Sequence, residues 1–378
     1  PYTTLFRSVS EKEQEKIFSA EANARLATLR ARHKELKDST PPEPDMACGV
    51  EDGDPVDQKI FVRGDYNHPG DAAPKSFPLV LAGASSPVTT RGSGRLELAH
   101  WLASRDNPLT ARVMVNRIWQ KHFGEGIVRT PDNFGTMGER PTHPELLDWL
   151  ASRFVESNWS IKTMHRVIML SAAYQMSSTP SPETVKADPE NRLLSRFNRR
   201  RLDVEEIRDS VLAIGGAIDE AMGGTLQQGF GTDGENSQDR LSINPEQHKR
   251  RTVYLPLRRA NLPTLLNLFD FGDATTSLGK RAATNVAPQA LFMMNSAFLT
   301  EQTANLARSL AGESQASAAQ RVEKVYWRVL NRKPAAGEVD AGLTYVTSFQ
   351  RKFQRPETEA WQSLCRVLLA SNDFIYVD

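Results

Sequence analysis

The sequence predicts a mainly α-helical protein: a multi-helix, bundle-like body with a small β element near residues 46–64 and a short strand near 251–257. Three observations lead there. From Gly94 onward, apolar residues recur at helical spacing through most of the chain. Ser, Asp and Asn caps, early prolines and terminal glycines bracket those segments. Strand-like runs are confined to "MACGV", "QKIFVRG" and "RRTVYLPLRR".

Taken in order, "PYTTLFRS" (1–8) reads like a translated sequencing adapter, so the true N-terminus is expected to lie upstream. "VSEKEQEKIFSAEANARLATLRARHKELK" (9–37) predicts an amphipathic helix, or the remnant of a coiled-coil arm, within residues 9–40. The turn-prone "EDGDP" between two apolar runs predicts a hairpin at 46–64. The Pro-punctuated stretch from Asp65 to Gly94 reads as an extended connector.

A main helical domain follows over 95–220. In "DNPLTARVMVNRIWQKHFG", Asn107 suits an N-cap, Pro108 the first turn and Gly124 the stop, with Leu109, Val113, Met114, Ile118 and Trp119 forming the stripe. Thr142 and Glu145 have capping-box spacing ahead of Leu146, Leu147, Leu150, Phe154 and Val155. Ser160 is the next cap, before Met164, Val167, Ile168 and Leu170. "DPENRLLSRF" predicts a further helix start at Asp188, and Asp203 with Glu206 another capping box. Small polar residues and glycines over 221–250 predict a mobile loop. The remainder, 251–378, is expected to add three or four helices from about Val286.

Composition excludes several classes. At 378 residues, 39% hydrophobic and 25% charged, with net charge +1, the chain has no global field to draw nucleic acid or anionic membrane. No apolar run is long enough to span a bilayer. Its two cysteines, Cys48 and Cys365, make neither a disulfide framework nor a cysteine metal site, and Cys365 fits a core position. The seven histidines show no zinc-binding spacing. "GTDGENSQD" does not match a calcium loop, and "GFGTDG" lacks a strand–loop–helix context.

The blocks "NPLTARVMVNRIWQKHFGEGIVRTPDNFGTMGERPTHPELLDWLASRF", "NWSIKTMHRVIMLSAAYQ", "DPENRLLSRFNRRRLDVEEIRDSVLAIGG", "RRTVYLPLRRANLP" and "NVAPQALFMMN" carry a resemblance. The chain resembles the planctomycete-type family called domain of unknown function 1553, over most of residues 40–378. That resemblance implies the C-terminal part of a larger secreted or periplasmic protein, with a cytochrome-c-like domain upstream as partner. No cofactor is expected within this chain; haem c is expected in the upstream part, since the C-x-x-C-H attachment pattern is absent here. Ala335 stands where the family commonly places Ser or Thr, so that N-cap should be weaker by roughly 1 kcal/mol.

Two functional readings follow. In the enzymatic one, a polysaccharide hydrolase takes acid and base residues from the 116–148 region, with His143, Glu145 and Asp148 as catalytic candidates. In the favoured one, the chain is a non-catalytic binding or scaffold module that meets a glycan or protein partner. Its binding candidates are Asn116, Arg117, His122, His165 and Arg208. Here Glu145 serves a cap, while Asn116 and Arg117 hold the loop from Gly124 to Pro141 by bonding its carbonyls. Arg117→Ala would then cost about 1–3 kcal/mol. The basic runs "RFNRRRLD" and "HKRRTVYLPLRRAN" are interleaved with acids and read as intramolecular arginine networks rather than a nucleic-acid surface.

Overall fold

A computed structural model describes residues 18–40, 49, 51, 53–56, 58–83, 92–224, 226, 244–257, 259, 261–312 and 316–377. The adapter-like octapeptide, the start of the arm, Cys48 and most of the 221–250 loop lie outside the described residues. Among the described residues are fifteen α-helices and two two-stranded antiparallel sheets, a mainly α fold. None of the described helices is long and apolar enough to cross a membrane.

Contacts divide the chain into two units, residues 1–76 with 88–95, and residues 77–87 with 96–378. In the first, helix α1 (Ala20–Ser39) is capped by Ser19, whose hydroxyl accepts from Ala22 N–H at 3.2 Å, and none of its residues is buried. The arm is helical there, with no buried face. Strand β1 (Lys59–Phe61), within the expected β element, pairs with β2 (Pro69–Ala72), whereas the expected first strand, 46–50, lies outside the described residues apart from Gly49. The turn between them carries the local bonds: Asp65 accepts from Asn67 N–H at 2.9 Å and meets His68 Nδ1 at 2.6 Å.

The second unit opens with a short helix α2 (Leu79–Ala82) inside the expected extended connector. Phe77, just before it, is buried and stacks on Trp101 of α3 (Arg95–Leu102) with ring centroids 4.7 Å apart. Next, α4 (Thr110–Phe123), α5 (Pro144–Glu156) and α6 (Ile161–Met169) build a first core. Val115, Ile118, Trp119, Phe123, Leu147, Leu150, Phe154, Met164 and Ile168 fill it, the large side chains contributing about 1.5–3 kcal/mol each on burial. Asn107 acts as a cap from outside the helix, its Oδ1 accepting from Leu109 and Thr110 N–H at 3.0 and 3.1 Å. Gly124 closes α4 with φ 81°, and Ser160 caps α6.

Two expected starts fail. No Thr142–Glu145 box forms, because Pro144 takes the first turn of α5 and His143 becomes its N-cap. Thr142 instead bonds the Ile127 carbonyl. At "DPENRL", Asp188 ends α7 (Pro182–Ala187) rather than starting a helix. Its carboxylate accepts from Arg192 and Leu193 N–H at 2.8 and 2.7 Å, and Asn191 and Leu194 take positive φ.

Strand β3 (Arg200–Arg201) leads into α8 (Val204–Ile214), where Glu206 accepts from Asp203 N–H at 2.8 Å as the box requires. The second core gathers around α8, α9 (Thr264–Leu268), α10 (Ala287–Asn295), α11 (Ala297–Ala311), α12 (Ala318–Leu330), α13 (Ala336–Phe353), α14 (Glu357–Leu369) and α15 (Asn372–Ile375). Helix α14 lies against α11, α12 and α13, placing Trp361, Leu364, Cys365 and Leu369 inside. Helices α10 and α11 are separated by Ser296 alone, which caps the second while ending the first. Strand β4 (Tyr376–Val377) returns to pair with β3. The expected strand at 251–257 is instead a 3-10 turn over Thr252–Tyr254. Asp209 takes Thr252's N–H at 2.9 Å and its hydroxyl at 2.6 Å, leaving no ladder to form there.

Candidate functional site

Among the described residues, no hydrogen bond joins one acid–base candidate to another. Asp148 is held by Arg112, whose Nε donates at 2.6 Å, and both face solvent. His143 meets its neighbour Thr142 at 3.0 Å, and Glu145 is exposed in the first turn of α5. Asn116 is fully buried and clamps one residue of the following loop: it donates to the Val128 carbonyl at 3.0 Å and accepts from Val128 N–H at 2.8 Å. Gly126 runs so close to this clamp that an added Cβ would lie 2.7 Å from Asn116 Nδ2. Arg117 reaches the same loop differently. It meets the Asp132 carboxylate at 3.4 Å, not a carbonyl, with nearly half its side chain exposed.

Arg208 is also a clamp. It is wholly buried and donates to the carbonyls of Pro245, His248 and Arg250 at 2.8, 2.6 and 2.9 Å. It also donates to Thr252 Oγ1 and Asp209 at 3.0 and 3.1 Å. Burial pulls its pKa down, and Asp209 pushes the other way. These bonds pin residues 245–252, so the C-terminal edge of the expected mobile loop is packed.

His122 on α4 and His165 on α6 do meet, with Nε2 and Nδ1 2.7 Å apart. Tyr174 stands edge-on to His122 at 5.4 Å. One ring must offer a bare nitrogen to the other's N–H. Burial, then His165, then Arg200, hold the His122 pKa below the ordinary histidine value. Among the described residues, no cluster of three metal-ligating groups forms around this pair or elsewhere.

A cavity with the character of a ligand site lies in the second unit. It encloses about 600 Å³ and is lined almost wholly by apolar groups, including Trp101, Leu109, Val113, Met114, Phe154 and Trp159. Asn107 and Arg117 are among its few polar lining residues. Trp159 has φ 58° and follows Asn158 at 53°. Asparagine tolerates that left-handed region, but a bulky aromatic there is strained and is held by its surroundings. Here Trp159 N–H donates to the Phe154 carbonyl at 2.9 Å and its ring packs edge-on against Phe154 at 5.3 Å. Sequence reasoning missed both tryptophans as site residues. Only the helix-ending Asn158 signalled an unusual turn, and nothing in the local pattern placed Trp101 opposite it.

Residues 94–346 match the family model described as PSD1, protein of unknown function (DUF1553). The chain belongs to this family. The DUF1553 match spans both histidines, both clamps and all of the apolar pocket except Leu81. No curated protein and no solved structure matches the chain.

Proposed function

We propose that this DUF1553 chain is a non-catalytic binding module that receives an apolar group of its partner between Trp101 and Trp159. The observation that carries the reading is the 600 Å³ pocket, preformed, nearly all apolar and edged by a strained tryptophan. Cavities of this size and lining, with few polar groups, are the usual form of a small-ligand site. Further support comes from Asn116 and Arg208, whose polar atoms are occupied by structural bonds, and from Asp148, whose Oδ1 is taken by Arg112. The polysaccharide-hydrolase reading of 116–148 draws none from Asp148 bound to Arg112.

The partner in this proposal is the cytochrome-c-like domain of the same periplasmic or extracellular protein, a placement that rests on family resemblance. Covalent haem does not fit this chain's own residues: the two cysteines are far apart in sequence, and Cys365 is buried and followed by Arg366. Titration with the neutral fluorophore N-phenylnaphthylamine tests the pocket. One saturable site per chain is expected, lost in Met114→Trp, which fills the cavity, and weakened in Leu102→Glu at its exposed edge. Absence of saturable binding, or binding unaltered in both folded variants, would overturn the proposal.

A further inference from the structure

A second cavity in the same unit has the opposite chemistry. It encloses about 740 Å³ between the end of α4, the segment leading into β3, and the loop around Lys280. Eight arginines and lysines line it against four carboxylates. The chain as a whole carries only +1, so this is a local concentration of charge.

Three of the arginines are held in place by acids outside the lining, while Arg129 pairs with Glu190 within it at 2.8 Å. Arg200 is gripped by both oxygens of Glu206 at 3.0 Å, and Arg281 by both oxygens of Glu205 at 2.7 and 2.9 Å. Arg201 pairs with Asp270 at 2.7 Å and bonds the Thr284 carbonyl. Glu205, Glu206 and Asp270 do not line the cavity. A guanidinium has five N–H donors, and a bidentate carboxylate uses two, leaving three for a second anion. The Nε of Arg201 has no partner, although its side chain is only 7% exposed. Guanidinium groups fixed in this way lose little further freedom on binding, which favours affinity.

Two lysines complete the mouth. Lys121 reaches Asp203 at 3.0 Å and Lys280 pairs with Glu125, yet their side chains are 69% and 49% exposed. Such exposed pairs contribute about 0–1 kcal/mol and readily exchange partners. Of the three aromatic rings in the lining, Phe123 is buried and Phe271 is covered by Arg281 at 4.4 Å, which leaves Tyr376 alone. A single ring disfavours a nucleic-acid strand, whose successive bases stack on several aromatic faces.

From this arrangement we infer that the cleft is a binding site for a small, multiply charged oxyanion, taken up by the fixed arginines and closed over by Lys121 and Lys280. Phosphate and carboxylate ligands share this chemistry, and probes of both kinds separate them. The inference is independent of the apolar pocket, which a neutral fluorophore reports.

The test is calorimetric titration of the full chain with tripolyphosphate, citrate and a short oligothymidylate, at about 150 mM salt to suppress long-range attraction. At least one of the small anions should saturate at one site per chain. Lys121→Gln with Lys280→Gln should weaken that binding about tenfold, equivalent to about 1.4 kcal/mol. Arg153→Gln, on α5 outside the cleft, should leave it within twofold. The inference falls if neither small anion saturates, if the double variant binds like the wild type, or if the oligothymidylate displaces both anions and binds more tightly. Thermal melts of the variants separate loss of binding from loss of fold.

Discussion

Asn116 and Arg117 are sequence neighbours with opposite fates, and a pair of substitutions should separate them. Asn116→Ala strands the buried N–H and carbonyl of Val128, and a loss of about 2–3 kcal/mol in denaturant unfolding is expected. Arg117→Ala removes an exposed contact to Asp132, so its cost should stay below about 1 kcal/mol, less than its assigned role as loop organiser implied. Equal losses would show that Arg117 supports the loop in some other way. His122 carries a pH prediction. Its native pKa is depressed by burial, His165 and Arg200, so the unfolded chain binds the proton more readily. Stability is then present above about pH 6.5 and falls as pH drops through the unfolded histidine value towards the lower native one. Melting temperature should decline on acidification below that value, and His122→Gln, which keeps a hydrogen-bonding group beside His165, should flatten the decline. Cys365 is simpler. Burial pushes its thiol up to about 12, so iodoacetamide should leave it unmodified in the native protein and alkylate it in denaturant, as peptide mass spectrometry would read.

At the scale of the element, helix α13 isolates one defect. Its N-cap is Ala335, which has no side-chain acceptor, while Glu338 still reaches back to Ala335 N–H at 2.7 Å. Arg332 grips the same carboxylate at 2.7 and 2.8 Å and holds its pKa down at about 2. Half a capping box is therefore built and waiting. Ala335→Ser should raise stability by about 0.5–1 kcal/mol in chemical denaturation, and no gain would mean the first turn is already satisfied by other donors. The same helix ends explain what the sequence disclosed. Ser160, Gly124 and the Asp203–Glu206 box were legible because a cap acts within four residues. Thr142 and Thr252 misled because distant groups engage them, the Ile127 carbonyl and the Asp209 carboxylate, and Asp188 because its carboxylate closes a local turn onto Arg192 and Leu193 N–H instead of starting a helix. The candidate site was legible only where a polar residue suggested a loop clamp, as Asn116 did. The apolar pocket needs Trp101 and Trp159 from separate elements, and the anion cleft needs Arg281 brought beside Arg200, pairings that no local spacing encodes.

For the second unit as a whole, the physical question is whether its two hydrophobic cores unfold together. They share no buried residue: the first runs from Ala111 to Phe197 and the second from Val204 to Phe374. Contacts that bridge them include the Lys121–Asp203 and Lys280–Glu125 pairs across the cleft, both substantially exposed. Such pairs couple weakly, whereas buried packing within each core is strong. The two cores should therefore behave as separate cooperative units, with free energies of opening that can be shifted one at a time. Phe374→Ala tests this, because that ring is 6% exposed and belongs to the second core alone. The substitution should cost about 3–5 kcal/mol there. Native-state hydrogen exchange should show amides at Val325 and Leu364 losing protection by that amount, while those at Val115 and Phe154 hold theirs. An equal loss in both sets would mean that one transition governs the unit. The ion pairs around the cleft would then be coupling the cores far more strongly than exposed pairs ordinarily do, and occupancy of the cleft by an anion should raise the stability of both cores at once.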